Sequence, residues 1–301
     1  MPVNNSTFLY GVAKWIVDPV LGRGTQTTIA AAISASSAGD TIFIRPGIYT
    51  ENFTLKSGVS LTAFTGDAYT PNVTIIGKIT ISSAGNYTLN NLKLQTNSDF
   101  ALEVIGSGAS VLQCNSIYLN CSNNTGISFT NSNAGAVIVF RSSTKNLVTT
   151  GIAAYNMTSP GNMLFFHCDL QNTGLSTTAA NNSAGGVLYE ASVMSAALSS
   201  TGTGSVNISQ SRHDCGPINA TCVTNSSSAP CSFYNSEMIS GTASVMVING
   251  GSTSLVSHIV ASSSNTNVFT GAGTLNYAFI SFVSSSSGHN VTTETALNTL
   301  I

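Results

Sequence analysis

The chain has 301 residues, of which only 7% are charged, against about 25% in an average soluble domain. Ser (45), Thr (36), Asn (30) and Gly (27) supply the polarity, while 42% of residues are hydrophobic. A net charge of −2 excludes the clustered Lys and Arg that a nucleic-acid partner or an acidic membrane surface requires. No apolar run approaches the roughly 18 residues of a membrane span, and Val, Ile, Thr and Phe spread along the chain exclude disorder.

Residues 1–25 read as an irregular segment carrying the single tryptophan, Trp15. Met1-Pro2-Val3-Asn4-Asn5 has neither the basic nor the apolar stretch of a secretion signal. In 26–39, Ile29 and Ile33 lie four apart with Ala between them, which predicts a short amphipathic helix. Gly39 is expected to end it, and Asp40 to cap or bridge locally. Thr41-Ile42-Phe43-Ile44-Arg45 reads as a buried strand and Pro46-Gly47 as a turn.

From residue 40 to 291 short β stretches alternate with Gly, Asn and Ser clusters. Leu112, Phe140, Phe166, Tyr189, Ile208, Tyr234, Val256 and Ala278 recur at similar points, with steps of 28, 26, 23, 19, 26, 22 and 22 residues. A loose period in the twenties without regular helices predicts a β-solenoid. Each coil cannot bury its own apolar side chains, so stacking supplies the core. The open ends are unpaired edges. The helix is expected to cap the first end. The tail 292–301, with Ala296, Leu297, Leu300 and Ile301, has no comparable cap and is expected to be covered by another subunit or by a different chain. Cys114, Cys121, Cys168, Cys215, Cys222 and Cys231 form no CxxC pair, which disfavours zinc. Cys114–Cys121 and Cys215–Cys222 are spaced for local disulfides, but buried thiols are the simpler expectation.

The segment Thr28-Ile29-Ala30-Ala31-Ala32-Ile33, then Ala38-Gly39-Asp40-Thr41-Ile42-Phe43-Ile44-Arg45-Pro46-Gly47-Ile48-Tyr49-Thr50-Glu51, then Leu55-Lys56-Ser57-Gly58-Val59-Ser60-Leu61 resembles the opening of pectin-lyase-like β-helix proteins. The resemblance covers about 35 residues. It implies an all-β fold: a right-handed, single-stranded parallel β-helix with a short N-terminal capping helix. It says little about function, because that superfamily holds pectinolytic enzymes, phage tailspikes and non-catalytic adhesins. The Ser- and Asn-rich coils look more like phage or large-virus tail and fibre proteins, many of them trimeric.

Charges are scarce enough to weigh one by one. Asp169, Glu190, Asp214 and Glu237 follow at gaps of 21, 24 and 23 residues, one acid per coil. His167, Arg212 and His213 lie beside them, and Arg141 takes the equivalent place one coil earlier. With coils about 4.8 Å apart, such a column would bring Asp169 and Glu190 near the roughly 5 Å of a retaining glycosidase, or Asp169 and Asp214 near the 6.5–9.5 Å of an inverting one. The plainer reading is charge tolerated at solvent-facing corners. Asp67 and Asp99 lack the Asp-rich run of a calcium loop, so neither metal nor cofactor is expected. Tyr155, Phe165, Tyr189, Phe233, Tyr234 and Tyr277 come about once per coil. Most should be core, and any that point outward would stack on sugar rings.

Three functions remain: a virion or surface attachment protein binding polysaccharide and assembling with copies of itself or other virion proteins; a glycan-degrading enzyme using the acids; or an architectural fibre subunit.

Overall fold

The structure, a computed structural model, describes residues 13–64, 71–96, 100–121, 126–141, 155–171, 180–195, 197–215, 221–241, 243, 245–250, 252–256, 259–262, 267–277, 280–282 and 288–296. Asp67, Asp99, Leu297, Leu300 and Ile301 lie outside these residues.

The expected helix spans Ile29–Ala35 and buries Ile29, Ala32 and Ile33. Its first turn is capped twice. Thr28 Oγ1 accepts the N–H of Ala31 at 3.2 Å, while the two carboxylate oxygens of Glu51 accept those of Ile29 and Ala30, each at 2.9 Å. A carboxylate here also meets the positive end of the helix dipole. The helix stops earlier than expected. Ser36, in extended conformation, is the C-cap, and its N–H donates to Ala32 and Ile33. Gly39, with φ of +91°, instead turns the chain into the strand Thr41–Ile44. The segment before the helix is not all irregular either: Trp15–Val17 is a strand pairing in parallel with Thr41–Ile44.

Beyond this cap the chain winds as a parallel β-solenoid, with three short strands per coil. In one coil Asn162–Phe166 lies on a first face, Asp169–Gln171 on a second and Ala180–Asn182 on a third; the chain returns to the first at Gly186–Glu190. Each strand pairs in parallel with its counterpart one coil on. Alternation sends every second side chain inward. On the first face the inward row runs Ile42, Leu61, Leu89, Cys114, Phe140, Phe165, Tyr189, Ile208, Phe233. All are at most 2% exposed. Within this column the rings of Phe140, Phe165 and Tyr189 stack nearly face to face at 5.1 and 5.0 Å, and Tyr189 donates a hydrogen bond to the Tyr155 hydroxyl. The winding continues through the strand Gly288–Ala296, so the expected boundary at residue 292 falls inside a strand. Cys114, Cys168, Cys215, Cys222 and Cys231 are buried thiols outside any disulfide.

A single residue makes the corner from first face to second. Asn91, Ser116, His167, Ala191, Gln210 and Asn235 have φ between 44° and 57°, uncommon for residues other than glycine. Their N–H groups continue the stacking: Asn91 donates to Asn115 O, Ser116 to Arg141 O, His167 to Glu190 O, Ala191 to Ser209 O and Gln210 to Tyr234 O, at 2.9–3.1 Å. The next residue points inward, and in three successive coils it is serine. Ser192 Oγ accepts the N–H of Cys168 at 3.1 Å, Ser211 Oγ that of Ser192 at 3.1 Å, and Ser236 Oγ that of Ser211 at 3.4 Å. Each hydroxyl donates to the carbonyl two residues back, Glu190, Ser209 or Tyr234, at 2.7–2.9 Å. This ladder lets a buried corner satisfy its backbone.

Candidate functional site: a groove on the first face

The corner decides where the expected site residues fall. The strand Gly186–Glu190 ends before it, whereas Asp169–Gln171 begins after it. Asp169 therefore stacks on Val193, then on Arg212 and Glu237, on the second face. Glu190 belongs to a different row on the first face: Arg141, Phe166, Glu190, Ser209, Tyr234. The four acids do not form one column, and the expected Asp169–Glu190 pairing is not made.

On the second face Arg212 binds its own acids. Its guanidinium lies 2.9 Å from Asp214 and 3.4 Å from Glu237, and the hydrogen bond to Asp214, then the charge of Glu237, raises its pKa. These carboxylates are engaged in an exposed ion-pair cluster. His213, expected beside them as a ligand-binding group, points the other way. It follows Leu170 and Met194 in the inward row and is 1% exposed. A strand of sequence Arg-His-Asp must send its middle residue opposite to its ends. His167 is an exposed corner residue with left-handed backbone.

What the winding does assemble lies around Glu190. A groove of about 490 Å³ crosses four consecutive rungs of the first face, within the ~300–1,000 Å³ usual for small-ligand sites. Three outward rows build it. One wall is Asn162, Gly186 and Ser205, where the Asn162 amide fills the space beside Gly186, so that a Cβ there would lie 2.6 Å from Asn162 Oδ1; the floor is Leu164, Leu188 and Asn207; the other wall is Glu190, Ser209 and Tyr234. Tyr234 is 40% exposed, one of five large exposed apolar side chains among the described residues. Of the aromatic residues expected once per coil, Tyr155, Phe165, Tyr189 and Phe233 are buried and Tyr234 is the outward one, while nothing is described of the Tyr277 side chain.

With rungs about 4.8 Å apart and alternate residues about 6.8 Å apart along a strand, the groove measures roughly 14 Å along the solenoid and 14 Å across. It offers an aromatic face, amides and hydroxyls able to donate and accept, an apolar floor and one carboxylate, Glu190. No second acid lines it among the described residues. Arg141, the cation of the Glu190 row, stands two rungs away beyond Phe166.

Leu164, Leu188, Asn162 and Asn207 were not anticipated as site residues. Met163-Leu164-Phe165-Phe166 reads as one apolar run, which hides that Leu164 faces outward. Among the described residues no group of three or more His, Cys, Asp or Glu is placed to hold a metal ion, and no helix is long and apolar enough to cross a membrane. No family model matches the chain, and no curated protein matches it.

Proposed function

We propose that this chain is a structural and attachment protein of a virion or comparable surface assembly, a pectin-lyase-like β-helix of tailspike or fibre character that joins copies of itself or other virion proteins and binds host glycan through the groove without cleaving it. The observation that carries this reading is the groove around Tyr234. An exposed ring, Asn and Ser side chains and a shallow apolar floor are the groups that pack on and hydrogen-bond to a pyranose. The Ser-, Thr- and Asn-rich, almost uncharged composition supports a neutral polar ligand. Binding is favoured over hydrolysis because a glycosidase needs two carboxylates flanking one bond. Among the described residues Glu190 is the one carboxylate that lines the groove, and Asp214 and Glu237 are paired with Arg212 on another face.

The test is a glycan array probed with the native chain and with Tyr234→Ala. The expected result is a defined set of bound glycans whose signal falls about tenfold in the variant, as loss of ring packing worth about 1.4 kcal/mol would give. Retention of every glycan by the variant would refute the groove as the site. A native chain binding no glycan would leave the architectural role.

A further inference from the structure

We propose that the groove selects neutral sugars that present a methyl group, as a 6-deoxyhexose or an N-acetylhexosamine does, and rejects uronic and sialic acids. This deepens the glycan-binding reading and rests on it.

Leu164 and Leu188 stack on consecutive rungs in an outward row that carries the buried Val139 one rung earlier and continues as Asn207 and Ser232. The two leucines are half-buried at the bottom of the groove. A fully hydroxylated sugar face laid on them would lose water without gaining hydrogen bonds, whereas a methyl group gains from being covered. The polar partners stand at the walls, where the remaining hydroxyls or an amide would meet them: Asn162 and Ser205 on one side, Ser209 on the other, with Asn207 at the end of the floor row. A sugar with one apolar corner and polar edges fits this division. The recess is about one to two sugar rings long and wide.

Charge sets the second half of the preference. Among the described residues Glu190 is the one charged residue lining the groove. An anionic sugar would sit beside that carboxylate with no cation among the described lining residues to compensate, and like charges at close range disfavour binding.

The test is direct binding of four soluble probes to the full chain: oligomers of a 6-deoxyhexose, of N-acetylglucosamine, of glucose and of galacturonic acid. Leu188→Asn and Glu190→Lys serve as variants, and thermal melting checks that both remain folded. The native chain should bind one or both methyl-bearing probes, about fourfold tighter for each methyl buried than the glucose oligomer, and should not bind galacturonate. Leu188→Asn should remove that preference while leaving residual binding; Glu190→Lys should gain galacturonate binding. Equal affinity for glucose and methyl-bearing probes, or native binding of galacturonate, would overturn the selectivity while leaving glycan binding intact. Failure of all four probes together with a glycan array that shows no binding would overturn both. Concentration-dependent self-association abolished by Leu188→Asn, with no glycan bound, would assign the leucine floor to a second copy of the chain instead.

Discussion

The serine ladder inside the first corner is the most exacting test of the coil register, and Ser211 is its central rung. Ser211 Oγ accepts the Ser192 N–H at 3.1 Å and donates to Ser209 O at 2.7 Å, and Ser192 and Ser211 are 3% and 8% exposed. In Ser211→Ala the two losses are unequal. Ser209 O keeps a partner, because it also accepts the Ala191 N–H at 3.1 Å. The Ser192 N–H loses the hydroxyl in a place water reaches poorly, and an unsatisfied buried donor costs about 1–3 kcal/mol. One missing oxygen opens little cavity, so the backbone term dominates. Ser199, half-buried on an outward position of the third face, is the control, and its replacement by Ala should change stability by less than about 0.5 kcal/mol. Denaturant unfolding followed by circular dichroism reads both variants, and the comparison requires an unchanged slope. The pair Ser192→Ala and Ser211→Ala should be non-additive, because the two hydroxyls share one chain of bonds. A Ser211→Ala variant as stable as Ser199→Ala would mean that residue 211 does not face inward, and the register that separates Glu190 from Asp169 would fall with it.

Two further outcomes follow from other parts of the solenoid. Phe165, wholly buried between the rings of Phe140 and Tyr189, should cost about 3–5 kcal/mol when replaced by Ala; thermal or denaturant unfolding measures it, and a loss under 1 kcal/mol would contradict the stacked column. At the N-terminal cap, hydrogen bonds from the Ser37 N–H, Trp15 Nε1 and Lys14 Nζ hold the Asp40 carboxyl at about 2, below its ordinary 3.8. A depressed acid stabilises the fold above its unfolded value and loses that contribution as pH falls from about 4 toward 2. Fluorescence of Trp15, the single tryptophan, should therefore titrate with a midpoint near 2, and Asp40→Asn should abolish the step. A midpoint near 4, or a step that survives in the variant, would disprove the contact.

Much of the architecture was legible because it repeats. One apolar anchor per coil gave the solenoid, and Ile29 and Ile33 gave the capping helix. The helix end was misread because Gly39 looked like a stop, whereas Ser36 already satisfies the last carbonyls from an extended conformation. The groove was barely legible. Tyr234 stood out as an aromatic residue, but its outward direction depends on phase, and a shift of one residue reverses every side chain. In Phe165-Phe166 and Phe233-Tyr234 both neighbours are aromatic, so alternation alone does not say which is core. The anchors expected at Phe166 and Tyr234 were one position late; Phe165 and Phe233 hold the inward row.

A signal that fixes the phase is nonetheless present. Phe165 is followed three residues on by Cys168, Tyr189 by Ser192, Ile208 by Ser211 and Phe233 by Ser236, and all eight side chains are buried. The constant interval arises because the chain needs one outward residue, one left-handed corner residue and then an inward residue, which is Leu92 or Ile117 in earlier coils. Aligning coils on this couple, in place of the scattered charges, puts Phe166, Glu190, Ser209 and Tyr234 before the corner and Asp169, Val193, Arg212 and Glu237 after it. Charge is a poor ruler on a solenoid, since any outward position on any face tolerates it. The left-handed corner recurs at the same distance from the inward anchor in each of these coils, and for that reason it keeps register where the surface does not.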